Sequence, residues 1–221
     1  MRPLLLRSRW ALPIESPVLE NSALLIGPDG RIAGLGPSAE IDPPEGAEIL
    51  DLGDAILLPG LVNTHTHLEL TGLAPLSSLP KDPAASRPAD FPLWIQDLRA
   101  LKESRSPEEY LDAARAGLLE CWAGGVTTIA DTGDSGAVLR VLAELGGSGI
   151  AYQEVFGPHP AQLDRSLSGL RSLIAESRPY AGGRVVLGVS PHAPYTVSGP
   201  LFARVAEWAA REALPLAVHV A

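Results

Sequence analysis

From about residue 56 onward, short apolar stretches rich in β-branched residues alternate with stretches of helical periodicity. This alternation limits the possible folds, because strands joined through intervening helices form a parallel sheet. We therefore expect an α/β fold. The predicted strands span 57–67, 126–130, 150–156, 184–189 and 214–221, and the predicted helices span 107–122, 136–145, 161–176 and 200–212.

Residues 1–55 precede the alternation and lack helical periodicity. Their short apolar runs are separated by turn residues, and Gly27-Pro28-Asp29-Gly30 is typical of a hairpin turn in which Gly30 takes a positive φ. This pattern predicts a small β unit. The sequence therefore predicts two domains, residues 1–55 and residues 56–221.

Composition excludes several classes of partner. Of the 221 residues 46% are apolar and 19% are charged, which is typical of a globular protein. The formal charge of −9 argues against a nucleic-acid or anionic-membrane surface. The lone Cys121 cannot form an internal disulfide, no apolar run reaches the ~20 residues that span a bilayer, and the apolar start broken by Arg7 and Arg9 is too short for a signal peptide. We expect a cytoplasmic protein without nucleic-acid or membrane partners.

The first of these predicted strands runs into two histidines, His65 and His67. In a strand, residues i and i+2 point to the same side, so both imidazoles would project from one face at the strand's carboxyl end. Two converging imidazoles can begin a divalent-metal site. The alternative is a strand end with two partly exposed histidines. The apolar strand in front of them favours the metal site.

Further polar residues follow the later strands at the same end. Asp131 follows the second strand, His192 follows the fourth, and His219 lies near the end of the fifth. Barrels and open sheets of the α/β class place their active sites at the carboxyl ends of their strands. Four of the five histidines lie there, which random scattering does not predict.

Three of these strand-end stretches resemble signatures of the amidohydrolase superfamily. Residues 59–67 (PGLVNTHTH) resemble its first-strand signature. Residues 190–198 (SPHAPYTVS) and 218–221 (VHVA) resemble the fourth- and fifth-strand signatures of its deaminase and chlorohydrolase branch, which includes cytosine, guanine and S-adenosylhomocysteine deaminases. The stretch 65–70 (HTHLEL) with Trp94 is also similar to aminofutalosine deaminases. The resemblance implies the N-terminal half of a TIM-type (β/α)8 barrel, strands 1–5, preceded by part of a small β-sandwich.

The resemblance also implies roles for individual residues. His65, His67 and His219 would bind the metal, and His192 would contact the substrate. Trp94 and Glu103 would also bind substrate. Simple packing explains Trp94 equally well, and a solvent-facing position near a helix start explains Glu103 better. Glu69 would support the strand end, and Asp131 would be structural.

The expected metal content is one divalent ion, with zinc favoured over iron. Two-metal branches of the superfamily use a carboxylated lysine at the end of the fourth strand. The only lysines here, Lys81 and Lys102, are far in sequence from a strand end.

The reaction implied by the resemblance is hydrolysis of a non-peptide C–N bond by a metal-bound hydroxide. Its most specific form is deamination of a cyclic amidine or aminopurine-like small molecule. Relatives place a shuttle glutamate after the fifth-strand histidine, a further histidine on the sixth strand and a metal-binding aspartate on the eighth, and none of these is in the chain. We therefore expect no catalytic residue within the chain, little or no activity of this polypeptide alone, and a tendency to self-associate.

Two alternatives stay open. The same chemistry could hydrolyse another C–N bond, or a C–Cl bond, on a heteroaromatic ring. The chain could instead be a non-catalytic half-barrel that binds a metal or a partner chain. The partners to be expected are a small-molecule substrate and either a second copy or a complementary C-terminal half.

Overall fold

The chain packs as two compact units, Met1–Gly60 and Leu61–Ala221. The computed structural model describes residues 1–72 and 91–220, with 91–97 described by their backbone only. The division into domains at 55/56 stays a prediction.

The first unit is a five-stranded sheet. Its strands are β1 (Leu4–Ala11), β2 (Leu19–Ile26), β3 (Ile32–Pro37), β4 (Glu48–Asp51) and β5 (Ile56–Leu57). The strand order is β3-β2-β1-β4, and β5 also pairs with β1. The pairs β1–β2 and β2–β3 are antiparallel, whereas β4 and β5 run parallel to β1. The turn between β2 and β3 is the predicted one, with Gly30 at φ 79°.

The second unit alternates strands and helices, as the sequence predicts. Its elements are β6 (Leu61–Thr66), α1 (Phe91–Ser104), α2 (Pro107–Ala123), β7 (Val126–Gly133), α3 (Ala137–Leu145), β8 (Gly149–Val155), α4 (Leu163–Ser177), β9 (Val185–Pro191) and α5 (Gly199–Arg211). The four strands form a parallel sheet in the order β6-β7-β8-β9. Neighbours in sequence are thus neighbours in the sheet, as in the first half of a (β/α)8 barrel. Across the residues described, every helix is too short or too polar to cross a lipid bilayer.

Helices cover one face of this parallel sheet. Ile129 of β7, Leu142 of α3, and Leu187 and Val189 of β9 are all buried in one apolar core. Because side chains alternate along a strand, Ser190 faces the opposite side of the sheet. The carboxyl ends of the strands therefore present alternating residues to that side.

Helix α2 has the predicted beginning and end. The Ser106 side chain accepts a hydrogen bond from Glu109 N at 3.2 Å, and the Glu109 carboxylate accepts one from Ser106 N at 2.7 Å. Gly124 follows the last turn, and Gly125 takes φ 81°. The sequence also predicts Ser198 as the cap of α5, which is only partly right, because Ser198 lies at the N-cap position but its side chain makes no capping hydrogen bond.

Two features differ from the sequence prediction. The predicted helices do not include α1. The Pro/Ser/Ala-rich residues 71–91 before it predict a long loop, most of which lies outside the described residues. Residues 214–220 run beside β9 but form a single bridge, Leu216 with Val189, and no regular strand. Their backbone hydrogen bonds pass from Ala217 N to Val189 O and from His219 N to the carbonyl of His192, beyond the end of β9. Pro215 has no N–H, which limits regular pairing here.

Candidate metal centre

Three histidines meet at the carboxyl end of the parallel sheet. His65 and His67 come from the end of β6, and His219 comes from the segment beside β9. Their ring centroids are 4.8, 5.0 and 5.4 Å apart. One ligand nitrogen from each ring lies within 4.8 Å of the others. The structure thus brings together the three residues that the sequence predicts as metal ligands.

Backbone carbonyls orient two of these rings. His67 Nδ1 lies 2.8 Å from the Thr132 carbonyl oxygen, and His219 Nδ1 lies 3.0 Å from that of His192. Because a carbonyl oxygen only accepts, each Nδ1 carries the hydrogen and each Nε2 keeps a free lone pair. His219 Nε2 is buried and has no hydrogen-bond partner within the described structure. Burial lowers the pKa of His67, which keeps its ring neutral and able to bind a metal at pH 7.

His192 borders this group from the end of β9. Its ring centroid lies 4.7 Å from that of His219, and its Nδ1 lies 2.7 Å from Thr196 Oγ1. The Thr196 hydroxyl donates to the Ala193 carbonyl at 3.2 Å, so it accepts from His192 Nδ1 and leaves His192 Nε2 as an acceptor. Burial, assisted by neighbouring histidines, lowers the pKa of His192 to about 4. The ring is therefore neutral at physiological pH.

Glu154 is a residue of the site that sequence reasoning misses. Its side chain is 4% exposed, and Oε1 lies 3.7 Å from His219 Nδ1. Burial raises the pKa of Glu154 to about 8. The signal in the sequence is a carboxylate near the end of an otherwise buried strand, where Val155 joins the apolar core and Glu154 must face the other side.

The model of the amidohydrolase family matches residues 56–221, which is most of the chain. The chain belongs to the amidohydrolase family. The chain is also similar to curated deaminases. It is 30% identical to a 5-methylthioadenosine/S-adenosylhomocysteine deaminase of Moorella thermoacetica, with 100% of this chain and 50% of the relative covered. The corresponding enzyme of Symbiobacterium thermophilum is 29% identical, with 100% and 49% covered. The chain spans about half the length of the curated relatives it matches.

Solved structures show the same fold at lower identity. An adenosine deaminase from Xanthomonas campestris with bound zinc matches with a TM-score of 0.77 at 23% identity, over 98% of this chain and 48% of that one. The atrazine chlorohydrolase of Arthrobacter aurescens with zinc matches with a TM-score of 0.75 at 22% identity, over 98% of this chain and 52% of that one. The Helicobacter pylori aminofutalosine deaminase matches with a TM-score of 0.74 at 17% identity, over 98% of this chain and 50% of that one. These matches confirm the predicted fold class, the N-terminal portion of an amidohydrolase barrel.

A buried carboxylate ties two strand ends together. Asp131, at the end of β7, accepts hydrogen bonds from Thr66 Oγ1 at 2.8 Å and from Leu68 N at 2.7 Å. Burial raises the pKa of Asp131 to about 7. These two hydrogen bonds fix the turn that follows His67, so Asp131 stabilises the structure around the proposed metal ligand.

A second carboxylate, Glu69, forms a buried ion pair beside the same turn. Lys102 Nζ lies 2.9 Å from Glu69 Oε1 and 2.6 Å from Asp134 Oδ1, and Ser135 donates to Glu69 through its hydroxyl and its N–H. Burial opposes ionisation of Glu69, but Lys102 and these donors outweigh it and lower its pKa. Lys102 is therefore close to a strand end in space, contrary to its distance in sequence. Breaking such a buried pair by removing one partner is strongly destabilising.

The remaining candidates lie elsewhere. Glu103 is exposed and pairs with Arg99 on its own helix at 3.0 Å. It belongs neither to the three-histidine group nor to a second cluster of close side chains, formed by Glu154, His192 and His219. The side chain of Trp94 lies outside the described residues. His159 is exposed and its Nδ1 accepts from Ala161 N at 3.2 Å.

Proposed function

We propose that the chain is the metal-binding half of a hydrolase that deaminates an amino-substituted heteroaromatic ring in an adenosine-like small molecule. The observation that carries the proposal is the group of three imidazoles, His65, His67 and His219, whose ligand nitrogens converge. Membership of the amidohydrolase family and similarity to curated deaminases support the choice of reaction.

The three rings fit one divalent cation. Neutral imidazole nitrogens are preferred zinc ligands, and the partnerless buried Nε2 of His219 is the kind of atom that a metal would satisfy. Imidazole also suits iron, and we favour zinc because the Xanthomonas deaminase and the Arthrobacter chlorohydrolase were solved with zinc. When bound, the cation would supply a water with a pKa lowered towards ~7.

The residues of the chain have separable tasks in this proposal. Thr132 and His192 present carbonyls that fix the rings of His67 and His219. His192 offers a neutral Nε2 acceptor to a donor group of the substrate, since Thr196 holds its Nδ1. Trp94 stays a proposed substrate contact. The exposed position of Glu103 gives no support to such a role.

The general acid–base groups would come from a complementary C-terminal half, because the resemblance places them after the fifth strand. Such groups typically contribute ~10²–10⁴ to a rate. We accordingly propose low turnover for the 221-residue chain alone. A cytoplasmic location stays a prediction based on the lone cysteine.

Zinc titration of the purified 221-residue chain tests the metal centre. We expect one equivalent to bind to the wild type, and His65→Ala, His67→Ala and His219→Ala each to weaken binding at least about tenfold, since each removes a ligand. His159→Ala removes an exposed histidine outside the group and should leave both stoichiometry and affinity unchanged. Equal loss in all four variants, or none, would contradict the proposal.

A chimera tests the reaction. Residues 1–221 would be joined to the C-terminal half of the Moorella deaminase, which this chain covers over 50% of its length. We expect ammonia release from 5-methylthioadenosine or S-adenosylhomocysteine, abolished by His219→Ala. The likeness to an atrazine chlorohydrolase favours a second candidate, C–Cl hydrolysis, which chloride release from atrazine would reveal instead. A folded, zinc-loaded chimera without either product would support the non-catalytic half-barrel.

A further inference from the structure

We propose that Glu154 is a positioning residue of the metal centre, whose carboxylate acts on the cation through the ring of His219. The inference rests on the proposed function, because it needs a cation at the three-histidine group. It concerns a residue that belongs to none of the motifs by which the family was recognised.

The geometry places one Glu154 oxygen against the outer nitrogen of a proposed ligand. Glu154 Oε1 lies 3.7 Å from His219 Nδ1, which already donates to the His192 carbonyl at 3.0 Å. The separation of 3.7 Å is too long for a hydrogen bond. A movement of less than about 1 Å would make the Nδ1 hydrogen a shared donor to both oxygens. A carboxylate behind a metal-bound histidine fixes its ring and raises its basicity.

Among the described residues, His219 is the basic side chain that lies within 4.0 Å of the Glu154 carboxyl group. The Glu154 side chain is 4% exposed, and its Oε1 makes no hydrogen bond to any described residue. An unpaired buried carboxylate is costly to a fold, so a buried carboxylate is normally paired with a charge or a metal. A divalent cation held by three neutral imidazoles would carry two uncompensated positive charges close to this oxygen. The cation and the Glu154 carboxylate would then stabilise each other across a medium of low dielectric constant.

Ser190 provides a matched control in the same layer of the sheet. It pairs in register with Glu154, it is fully buried, and its Oγ also makes no hydrogen bond to a described residue. Both side chains point away from the apolar core, because Val155 and Val189 belong to that core. Ser190 differs from Glu154 in being uncharged, and its Oγ makes no hydrogen bond to a proposed ligand among the described residues.

The test is zinc affinity of the 221-residue chain, measured by competition with a chelator. We expect Glu154→Gln, which keeps the shape of the side chain but cannot ionise, to weaken zinc binding about 10–100-fold, as loss of a metal-ligand partner usually does. Glu154→Asp keeps the charge at a greater distance and should weaken binding by a smaller factor. Ser190→Ala should bind zinc as the wild type does. Circular dichroism checks the fold of each variant. If Glu154→Gln does not fold, a zinc affinity of Glu154→Asp equal to that of the wild type overturns the inference.

A spectroscopic readout separates positioning from general structural support. In the zinc-loaded wild type, the imidazole nitrogen spectra should show His219 with hydrogen on Nδ1, and Glu154→Gln should shift the Nδ1 resonance of His219 more than any resonance of His65. An unchanged His219 resonance together with unchanged zinc affinity in Glu154→Gln would overturn the inference. If His219→Ala still weakened zinc binding, the proposed function would stand. A wild-type chain that takes up no zinc would overturn both.

Discussion

His192 shows how a single side chain can be held neutral at the edge of a site. Thr196 fixes its Nδ1 at 2.7 Å, and its ring lies beside that of His219. Burial first, and neighbouring histidines next, lower the pKa of His192 to about 4. A charged ring here would repel a cation at the three-histidine group, so the neutral state suits a substrate contact beside a metal.

This lowered pKa predicts a pH dependence of the metal-free chain. An unfolded histidine titrates near pH ~6.5, so as the pH falls the unfolded state takes up its proton first. The stabilisation that neutral His192 contributes is therefore complete above pH ~6.5 and is lost as the pH falls to about 4. Because the ring is only partly buried, we expect a loss of about 1–2 kcal/mol in the free energy of unfolding.

The measurement compares urea unfolding of the wild type and of His192→Asn between these two pH values. Asparagine keeps an amide N–H for Thr196 but does not titrate. The wild type should lose more stability than the variant on acidification, while the other titrating groups, including Glu154 and Asp131, contribute to both proteins. Parallel pH profiles would contradict the assignment.

At the scale of elements, two helix beginnings in the second unit contrast. Ser106 and Glu109 exchange hydrogen bonds at the start of α2, whereas Ser198 at the start of α5 leaves its buried hydroxyl without a partner in the described structure. We expect Ser106→Ala to lower the free energy of unfolding by about 1 kcal/mol. Ser198→Ala removes no hydrogen bond and should change it by less than about 0.5 kcal/mol in either direction.

Thermal and urea unfolding of the two variants beside the wild type measure this contrast. The substitution is the same in both, so a difference between them reports the capping bond and not the intrinsic helix preference of alanine. Equal losses at both positions would show that the serine hydroxyl at α5 has a partner in solution.

The contrast between these two serines also explains which helices and strands the sequence can predict. The reciprocal hydrogen bonds of Ser106 and Glu109 are local, so these residues alone predict the start of α2. Capping by Ser198 depends on packing around α5, which the sequence does not display. Helix α1 carries Leu98 and Leu101 at helical spacing but follows a Pro/Ser/Ala-rich stretch without a capping signal. The histidines were predictable because period-two spacing and strand ends are local features. Glu154 was not, since its partner His219 is distant in sequence and they meet only through the sheet.

At the scale of the molecule, the first unit leaves an apolar strand edge exposed. All four residues of β4 are exposed, and two of them, Ile49 and Leu50, are 49% and 47% exposed. β4 lies at the end of the strand order, with β1 as its sheet partner among the described residues. An exposed strand edge with apolar side chains is a template for pairing with another chain. The predicted tendency to self-associate therefore has a physical origin in this unit.

We expect the chain to self-associate with rising concentration through β4, and Ile49→Lys to reduce that association. Lysine on an edge strand opposes pairing because its charge resists burial against a second strand. Val18→Lys is the matched control, since Val18 is 57% exposed but lies outside the strands, and it adds the same charge. Sedimentation velocity across a concentration series should show oligomers in the wild type and in Val18→Lys, and mainly monomer in Ile49→Lys. If both substitutions reduced self-association equally, the effect would come from the change in net charge. A wild type that stays monomeric would contradict the proposal that β4 is an interface.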